Sequence, residues 1–74
     1  MNEYLQWLRA AYLYYVTPGE DTGMSDYEWD QLSRKFYANI DKYPAKDYPV
    51  LHRPEFTGGS LFWLKRGEYP EEVK

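Results

Sequence analysis

The sequence lacks several features that would define its class at once. It contains no cysteine, so neither a disulfide nor a thiolate metal site stabilises it. No stretch approaches the roughly 20 apolar residues of a membrane span, and the first residues do not have the pattern of a signal peptide. Lysine and arginine form no cluster, and the net charge is −3. We therefore expect a cytoplasmic protein with no metal and no membrane partner, and autonomous binding to nucleic acid is disfavoured.

Catalytic arrangements are also missing. His52 is the only histidine, and it lies in a proline-bounded segment with no cysteine or Gly-x-Ser-x-Gly sequence to pair with it. A single loop histidine is usually solvated or structural. Gly58-Gly59-Ser60 is not part of a Gly-Lys-Ser/Thr phosphate loop and is interpreted as a turn. These absences predict that the chain has no catalytic residues.

Aromatic residues are abundant instead. Nine tyrosines, three tryptophans and three phenylalanines occur in 74 residues. A chain of this size buries only about 60% of its unfolded surface, and each aromatic ring can bury on the order of 150–250 Å². The core is therefore expected to be built from aromatic rings.

Periodic spacing predicts two main helices. The first begins after Asn2, a good N-cap, and ends before Pro18-Gly19. The second begins at Ser25, which fits a capping box with Glu28, and is expected to run to Pro44. Its predicted buried positions recur every three or four residues: Trp29, Leu32, Phe36, Ile40 and Tyr43.

The rest of the chain is interrupted by Pro44, Pro49 and Pro54, which predict an extended connection pinned to the helices by Val50 and Leu51. A short helix over 61–66 is expected, with Ser60 as its cap and Gly67 as its stop. Pro70 and the two acids after it indicate one more short turn. The predicted fold is all-α: a single domain over residues 1–74 with two main antiparallel helices and one or two short C-terminal helices.

Two motifs at the junction of the predicted helices point to a family. Residues 14–16 read Tyr-Tyr-Val, and after a loop residues 25–30 read Ser-Asp-Tyr-Glu-Trp-Asp. This pair resembles the N-terminal (Ia, nicotinamide-mononucleotide-binding) domain of NAD-dependent DNA ligases, which has Tyr-Tyr-Val or Tyr-His-Val followed by Ser/Pro-Asp-x-Glu-Tyr-Asp. The resemblance covers roughly residues 5–44 of the chain. The segment over 56–61 is more similar to small phage-type proteins described only as ligase-related.

The resemblance implies a ligand and a set of residues that bind it. In that family the domain closes over the nicotinamide mononucleotide (NMN) half of NAD and orients the pyrophosphate for attack by a lysine in the next domain. Carried over position by position, the cofactor-binding set is Tyr14, Tyr15, Asp26, Trp29 and Asp30. The family usually has tyrosine where this chain has Trp29, and its loop between the motifs is shorter. The ligase nucleophile, a Lys-x-Asp-Gly lysine, is missing, because no Asp-Gly occurs in the chain.

The chemistry of these side chains suits a nicotinamide cation. An aromatic face attracts such a ring by ~0.5–2 kcal/mol, and a carboxylate accepts hydrogen bonds from its carboxamide or ribose. Asp26, Trp29 and Asp30 share one side of the second helix. A structural interpretation stays open beside this one: Trp29 belongs to the core, Asp26 interacts with the helix dipole, and Asp30 pairs with Arg34.

Two functions therefore stand as hypotheses. The first is a non-catalytic module that binds NMN or NAD. The alternative is a phage-type protein-interaction module that binds or inhibits a host or phage protein, in the host cytoplasm if it is phage-encoded. On the alternative, the contact residues are Tyr14, Tyr27, Tyr48 and Trp63, and the chain could form a homo-oligomer. Nucleic-acid binding through stacking is a minor third hypothesis, since no positive groove is evident.

Overall fold

Two α-helices and four short 3-10 helices make up the regular structure of the described part of the chain. The computed structural model describes residues 2–17, 19, 21–56 and 61–74, and none of these residues forms a strand. The α-helices are α1 (Glu3–Tyr15) and α2 (Asp26–Ala38). The 3-10 helices are Ile40–Lys42, Pro49–His52, Arg66–Glu68 and Glu71–Val73. The all-α prediction is confirmed for the described part of the chain.

Helix α1 begins where its local signal places it. Asn2 Oδ1 accepts a hydrogen bond from the Leu5 N–H at 2.8 Å, which satisfies one of the free amides of the first turn. The helix ends at Tyr15 with Val16 as its C-cap. Pro18, the predicted stop, lies outside the described residues. Gly23, in the loop that follows, has a φ of +74°, a left-handed conformation that glycine adopts without strain.

Helix α2 starts with the predicted capping box. Ser25 Oγ accepts from the Glu28 N–H at 3.1 Å, and Glu28 Oε1 accepts from the Ser25 N–H at 3.3 Å. The predicted end at Pro44 is wrong, because the helix ends at Ala38 and a separate 3-10 turn follows. Asn39 has a non-helical conformation, and its side-chain amide donates to the Lys35 carbonyl at 2.9 Å. Such side-chain bonds compete with the backbone bonds that would continue a helix.

The two α-helices pack antiparallel. Contacts near the start of α1 reach the end of α2: Glu3 pairs with Lys35 at 2.8 Å, and the rings of Tyr4 and Phe36 meet edge to face. Further along α1, Trp7 stacks on Trp29, nearer the start of α2. The C-terminal end of α1 therefore lies beside the N-terminal end of α2. No helix in the described part of the chain combines the length and apolar character that a membrane crossing requires.

The C-terminal half covers the open side of this helix pair. The extended connection predicted after Pro44 is only partly observed, because Pro49–His52 forms a 3-10 helix. Val50 and Leu51 are buried in it and pin it to the core as predicted. The 3-10 helix Glu71–Val73 corresponds to the predicted last turn and packs on α1.

The short helix predicted over 61–66 does not form. Instead the Leu64 N–H donates to the Leu61 carbonyl at 2.9 Å in a single turn, and the next regular element is Arg66–Glu68. Leu61 and Leu64 are both buried, and an i,i+3 turn aligns residues three apart on one side. The predicted Gly58-Gly59 turn and Ser60 cap lie outside the described residues.

One aromatic-rich core joins both α-helices and the 3-10 helices other than Arg66–Glu68. Trp7, Leu8 and Phe36 are at its centre with essentially no exposed surface. Ring contacts are mostly edge to face at 4.8–6.4 Å between centroids, a favoured geometry for aromatic pairs. The buried apolar set is Tyr4, Trp7, Leu8, Ala10, Ala11, Tyr12, Phe36, Val50, Leu51, Phe56, Leu61, Leu64, Tyr69 and Val73.

Candidate functional site

A pocket of about 350 Å³ lies where the end of α1 meets the start of α2. Its volume is at the lower end of the roughly 300–1,000 Å³ of small-molecule sites. The pocket is lined by Ala10, Ala11, Tyr14, Tyr15, Thr22, Met24, Asp26, Trp29 and Asp30. All five residues that the resemblance assigns to cofactor binding are among them, so the structure brings the whole set together.

The α1 side of the pocket combines two tyrosines with two alanines. Tyr14 and Tyr15 are the last two residues of the helix, and their rings meet edge to face at 4.9 Å. They are 57% and 36% exposed, respectively. Ala10 and Ala11 precede them by one helical turn. Because an alanine side chain is a single methyl group, the turn beneath the tyrosine rings stays open enough to form a hollow.

The loop before α2 supplies the residues that sequence reasoning missed, Thr22 and Met24. Thr22 Oγ1 donates to the Met24 carbonyl at 2.7 Å and accepts from the Met24 N–H at 3.3 Å. Asp21 Oδ1 accepts from the Gly23 N–H at 2.9 Å. These short-range bonds give the loop a defined shape. Loop residues show no periodicity, and so the sequence carried no signal for their position.

Trp29 belongs to both the core and the pocket. Its indole stacks on that of Trp7 with centroids 5.3 Å apart and planes 13° from parallel. Its Nε1–H donates to the Trp7 carbonyl at 2.9 Å, and the residue is half-buried. This hydrogen bond ties the polar edge of the Trp29 ring to α1. It therefore fixes the orientation of the ring, which lines the pocket on the α2 side. The core interpretation of Trp29 and its place in the pocket are both observed.

Ser33 of α2 forms hydrogen bonds with both tryptophans. Its hydroxyl is fully buried, accepts from the Trp7 Nε1–H at 2.8 Å and donates to the Trp29 carbonyl at 3.2 Å. Each tryptophan therefore donates its indole proton to the opposite helix. Ser33 was not among the predicted buried positions, although its spacing from Trp29 and Phe36 places it on the same buried face.

Two carboxylates stand at the α2 side of the pocket. Asp26 is exposed in the first turn of α2, where its charge complements the helix dipole. Asp30 Oδ2 lies 3.0 Å from Arg34 Nε in the predicted i,i+4 ion pair. The structural roles foreseen for both acids are thus observed, and both residues also line the pocket. Among the described residues, no group of three or more histidine, cysteine, aspartate or glutamate side chains is placed to hold a metal ion.

A buried tyrosine, Tyr69, packs against Tyr12 of α1. Tyr69 is buried, its ring meets that of Tyr12 at 5.3 Å, and its hydroxyl has no hydrogen-bond partner. Burial raises the pKa of Tyr69 to about 12, with a smaller contribution from Tyr15. Tyr15, which lines the pocket, is thus close enough to influence this buried hydroxyl electrostatically.

The surface aromatic residues only partly match the interaction hypothesis. Tyr14 and Tyr27 are exposed as expected, Tyr27 to 73%. The expectation for Tyr48 and Trp63 is wrong, because both are half-buried and packed against the core. Two other rings, not foreseen, are also exposed: Phe62 to 76% and Tyr37 to 54%.

A second hollow lies at the other end of α1. It is larger, about 510 Å³, and includes Tyr4, Tyr48, Asp47 and Glu72. None of the five predicted residues lines it, and Tyr4 is almost fully enclosed in the core. We therefore take the smaller pocket as the candidate site. Comparisons of the chain with protein-family models, with curated proteins and with solved structures returned no match.

Proposed function

We propose that this protein is a non-catalytic module that binds the nicotinamide part of NMN or NAD in the pocket between α1 and α2. One observation carries the proposal. The resemblance to the ligase Ia domain assigns five residues from two separate motifs, and all five line a single pocket. The two motifs lie on opposite sides of the loop, and the antiparallel packing of α1 and α2 brings them to the same pocket.

The chemistry of the pocket supports the same ligand. Nicotinamide in NMN is a flat cation, which an aromatic face attracts. Trp29 supplies a ring held rigid by its stack on Trp7 and its bond to the Trp7 carbonyl. Asp26 and Asp30 supply negative charge and hydrogen-bond acceptors at the same pocket. A rigid aromatic wall beside carboxylates is a suitable arrangement for a positively charged ring.

The proposal assigns binding and not chemistry to this chain. Ligase chemistry requires a lysine nucleophile in a Lys-x-Asp-Gly sequence, and this chain contains no Asp-Gly. The pocket also has no lysine, histidine or cysteine among its described lining residues. On this proposal the protein holds or presents the nucleotide, and any reaction takes place on another protein.

The test is a titration of the full chain with NMN, followed by two-dimensional NMR of backbone amides and indole protons. We expect shifts at millimolar ligand for Tyr14, Asp30 and the Trp29 indole, with little change at the far end of α1. A spectrum that does not change up to several millimolar NMN, or that changes uniformly over the surface, would rule the proposal out.

A pair of tyrosine variants controls this test. Tyr14 and Tyr27 are both exposed, but only Tyr14 lines the pocket. Tyr14→Ala is therefore expected to weaken NMN binding several-fold, since stacking on one ring is worth ~0.5–1 kcal/mol at an exposed site. Tyr27→Ala should leave binding unchanged. Equal losses in the two variants would contradict a pocket-specific interaction.

Protein interaction is a second candidate, favoured by the unusual exposure of Phe62 and Tyr27. Large exposed rings are enriched at binding hot spots. Sedimentation of the pure protein over a wide concentration range tests self-association, and Phe62→Ser with Tyr27→Ser should abolish any that is found. A monomer at all concentrations, together with no change on substitution, would leave this candidate without support.

A further inference from the structure

The charge of the pocket is one-sided. Its described lining residues include two carboxylates, Asp26 and Asp30, and no lysine, arginine or histidine. Arg34, the cation paired with Asp30, is not among the lining residues and has 71% of its side chain exposed. Lys35 is engaged at the opposite end of the helix pair with Glu3 at 2.8 Å. A negatively charged group in this pocket would therefore meet repulsion from two carboxylates.

The start of α2 does not offset that repulsion. A helix N-terminus commonly holds phosphate through its free amides and its positive dipole end. Here the Glu28 amide is already bonded to Ser25 Oγ at 3.1 Å. Two acidic side chains, Asp26 and Glu28, also occupy the first turn and complement the dipole. The place that could have held a phosphate is thus taken by the protein's own carboxylates.

From these observations, and on the basis of the proposed function, we infer that the pocket recognises the nicotinamide riboside half of the ligand and disfavours its phosphate. Nicotinamide riboside carries a single positive charge. NMN adds a phosphate monoester of roughly −1.5 to −2 at neutral pH, which reverses the sign of the net charge. The pocket suits the cationic ring and ribose, so the unphosphorylated riboside should bind more tightly than NMN.

The test compares nicotinamide riboside with NMN, two ligands that differ only by the phosphate, by calorimetry or NMR titration of the full chain. Each exposed charge pair changes an affinity by roughly 1.5- to 5-fold, so at low salt we expect the riboside to bind severalfold more tightly. Because the screening length falls from about 10 Å at 0.1 M to 3 Å at 1 M salt, the two affinities should converge as salt is added.

NMN binding as tightly as the riboside, or more tightly, at low salt would overturn the inference while leaving the proposed function intact. If NMN does not bind at millimolar concentration, the proposed function itself fails, whatever the riboside does.

Three charge variants sharpen the result. Asp30→Asn should reduce the preference for the riboside, whereas Arg34→Gln should increase it by freeing the Asp30 charge. Asp41→Asn changes the net charge by the same amount at an exposed position of the 3-10 helix Ile40–Lys42, outside the pocket, and should change neither affinity. A change with Asp41→Asn equal to that with Asp30→Asn would attribute the preference to net charge and overturn the pocket assignment.

Discussion

Among the residues that the structure describes, Ser33 is the one buried residue that is neither aliphatic nor aromatic. Its hydroxyl accepts from the Trp7 indole and donates to the Trp29 carbonyl. Ser33→Ala leaves that indole N–H buried without an acceptor, which costs ~1–3 kcal/mol. We expect the free energy of unfolding, measured in urea, to fall by this amount. Gln31→Ala, an exposed change in the same helix, serves as the control, and an equal loss in both variants would show that the buried bonds contribute little.

Tyr69 presents the opposite case, a buried hydroxyl with no partner. Burial raises its pKa to about 12, against about 10 for an exposed tyrosine. The folded state therefore holds the proton more tightly than the unfolded state. The associated stability is fully present below pH 10 and is lost as pH rises through about 12.

Tyr69→Phe tests this dependence on pH. At neutral pH the variant should be as stable as the parent or more stable, because it removes an unsatisfied polar group. Between pH 10 and 12 it should escape a loss of roughly 2 kcal/mol that the parent suffers. Urea unfolding at several pH values measures both quantities. If the two proteins lose stability in parallel as pH rises, Tyr69 is not the group responsible.

At the scale of elements, the start of α2 contains both the helix cap and part of the pocket wall. Ser25 caps the helix, and Asp26 follows it directly in the pocket wall. Ser25→Ala should destabilise the fold by ~1 kcal/mol. Ser25→Asp retains a capping oxygen and should lose only a fraction of that, as judged by urea unfolding with helicity followed by circular dichroism. Similar losses in both variants would mean that the cap oxygen is not what fixes this end.

Local signals predicted the two main helices well and the C-terminal half poorly. Asn2 and the Ser25–Glu28 box act within one helical turn, so the helix starts were predictable from neighbouring residues. The end of α2 at Ala38 was not predictable in this way. The helix already ends just before Asn39, a weak stop signal that lies five residues before the stronger signal of Pro44. The short 3-10 helices have few local hydrogen bonds. Their conformation therefore depends on how their side chains pack into the core, which is a tertiary property.

The candidate site was predictable only through the resemblance. Helical spacing placed Asp26, Trp29 and Asp30 on one side of α2 but said nothing of what faces them. Convergence with Tyr14 and Tyr15 depends on how two helices pack, which is a tertiary property. The contributions of Thr22 and Met24 depend on the loop, and no periodic pattern marks them.

The whole molecule is dense despite its short elements. Its radius of gyration is 11.4 Å, close to the value of about 11 Å expected for a compact chain of this length. Even so, a domain of this size buries a modest fraction of its surface, and its stability is expected to be marginal. A ligand that binds only the folded state should therefore have a large effect on its melting temperature.

A thermal melt with nicotinamide riboside measures that effect. Ligand at ten times its Kd adds about 1.4 kcal/mol of stability, and 1 kcal/mol shifts the midpoint of so small a domain by roughly 4–8 °C. We expect an increase of about 6–11 °C. The increase should be reduced in Tyr14→Ala and retained in Tyr27→Ala. A midpoint that does not depend on ligand concentration would argue against binding to the folded state.

The hydrogen bonds of the Trp7 and Trp29 indoles also allow the opening of the helix pair to be measured. Each indole proton is donated across the α1–α2 interface, one to Ser33 Oγ and the other to the Trp7 carbonyl. Neither bond survives if the helices separate. Local opening in proteins proceeds in cooperative units, so both protons should exchange with deuterium at closely similar rates. Those two exchange rates would then report directly how often the helix pair opens, and with it the pocket that the pair encloses.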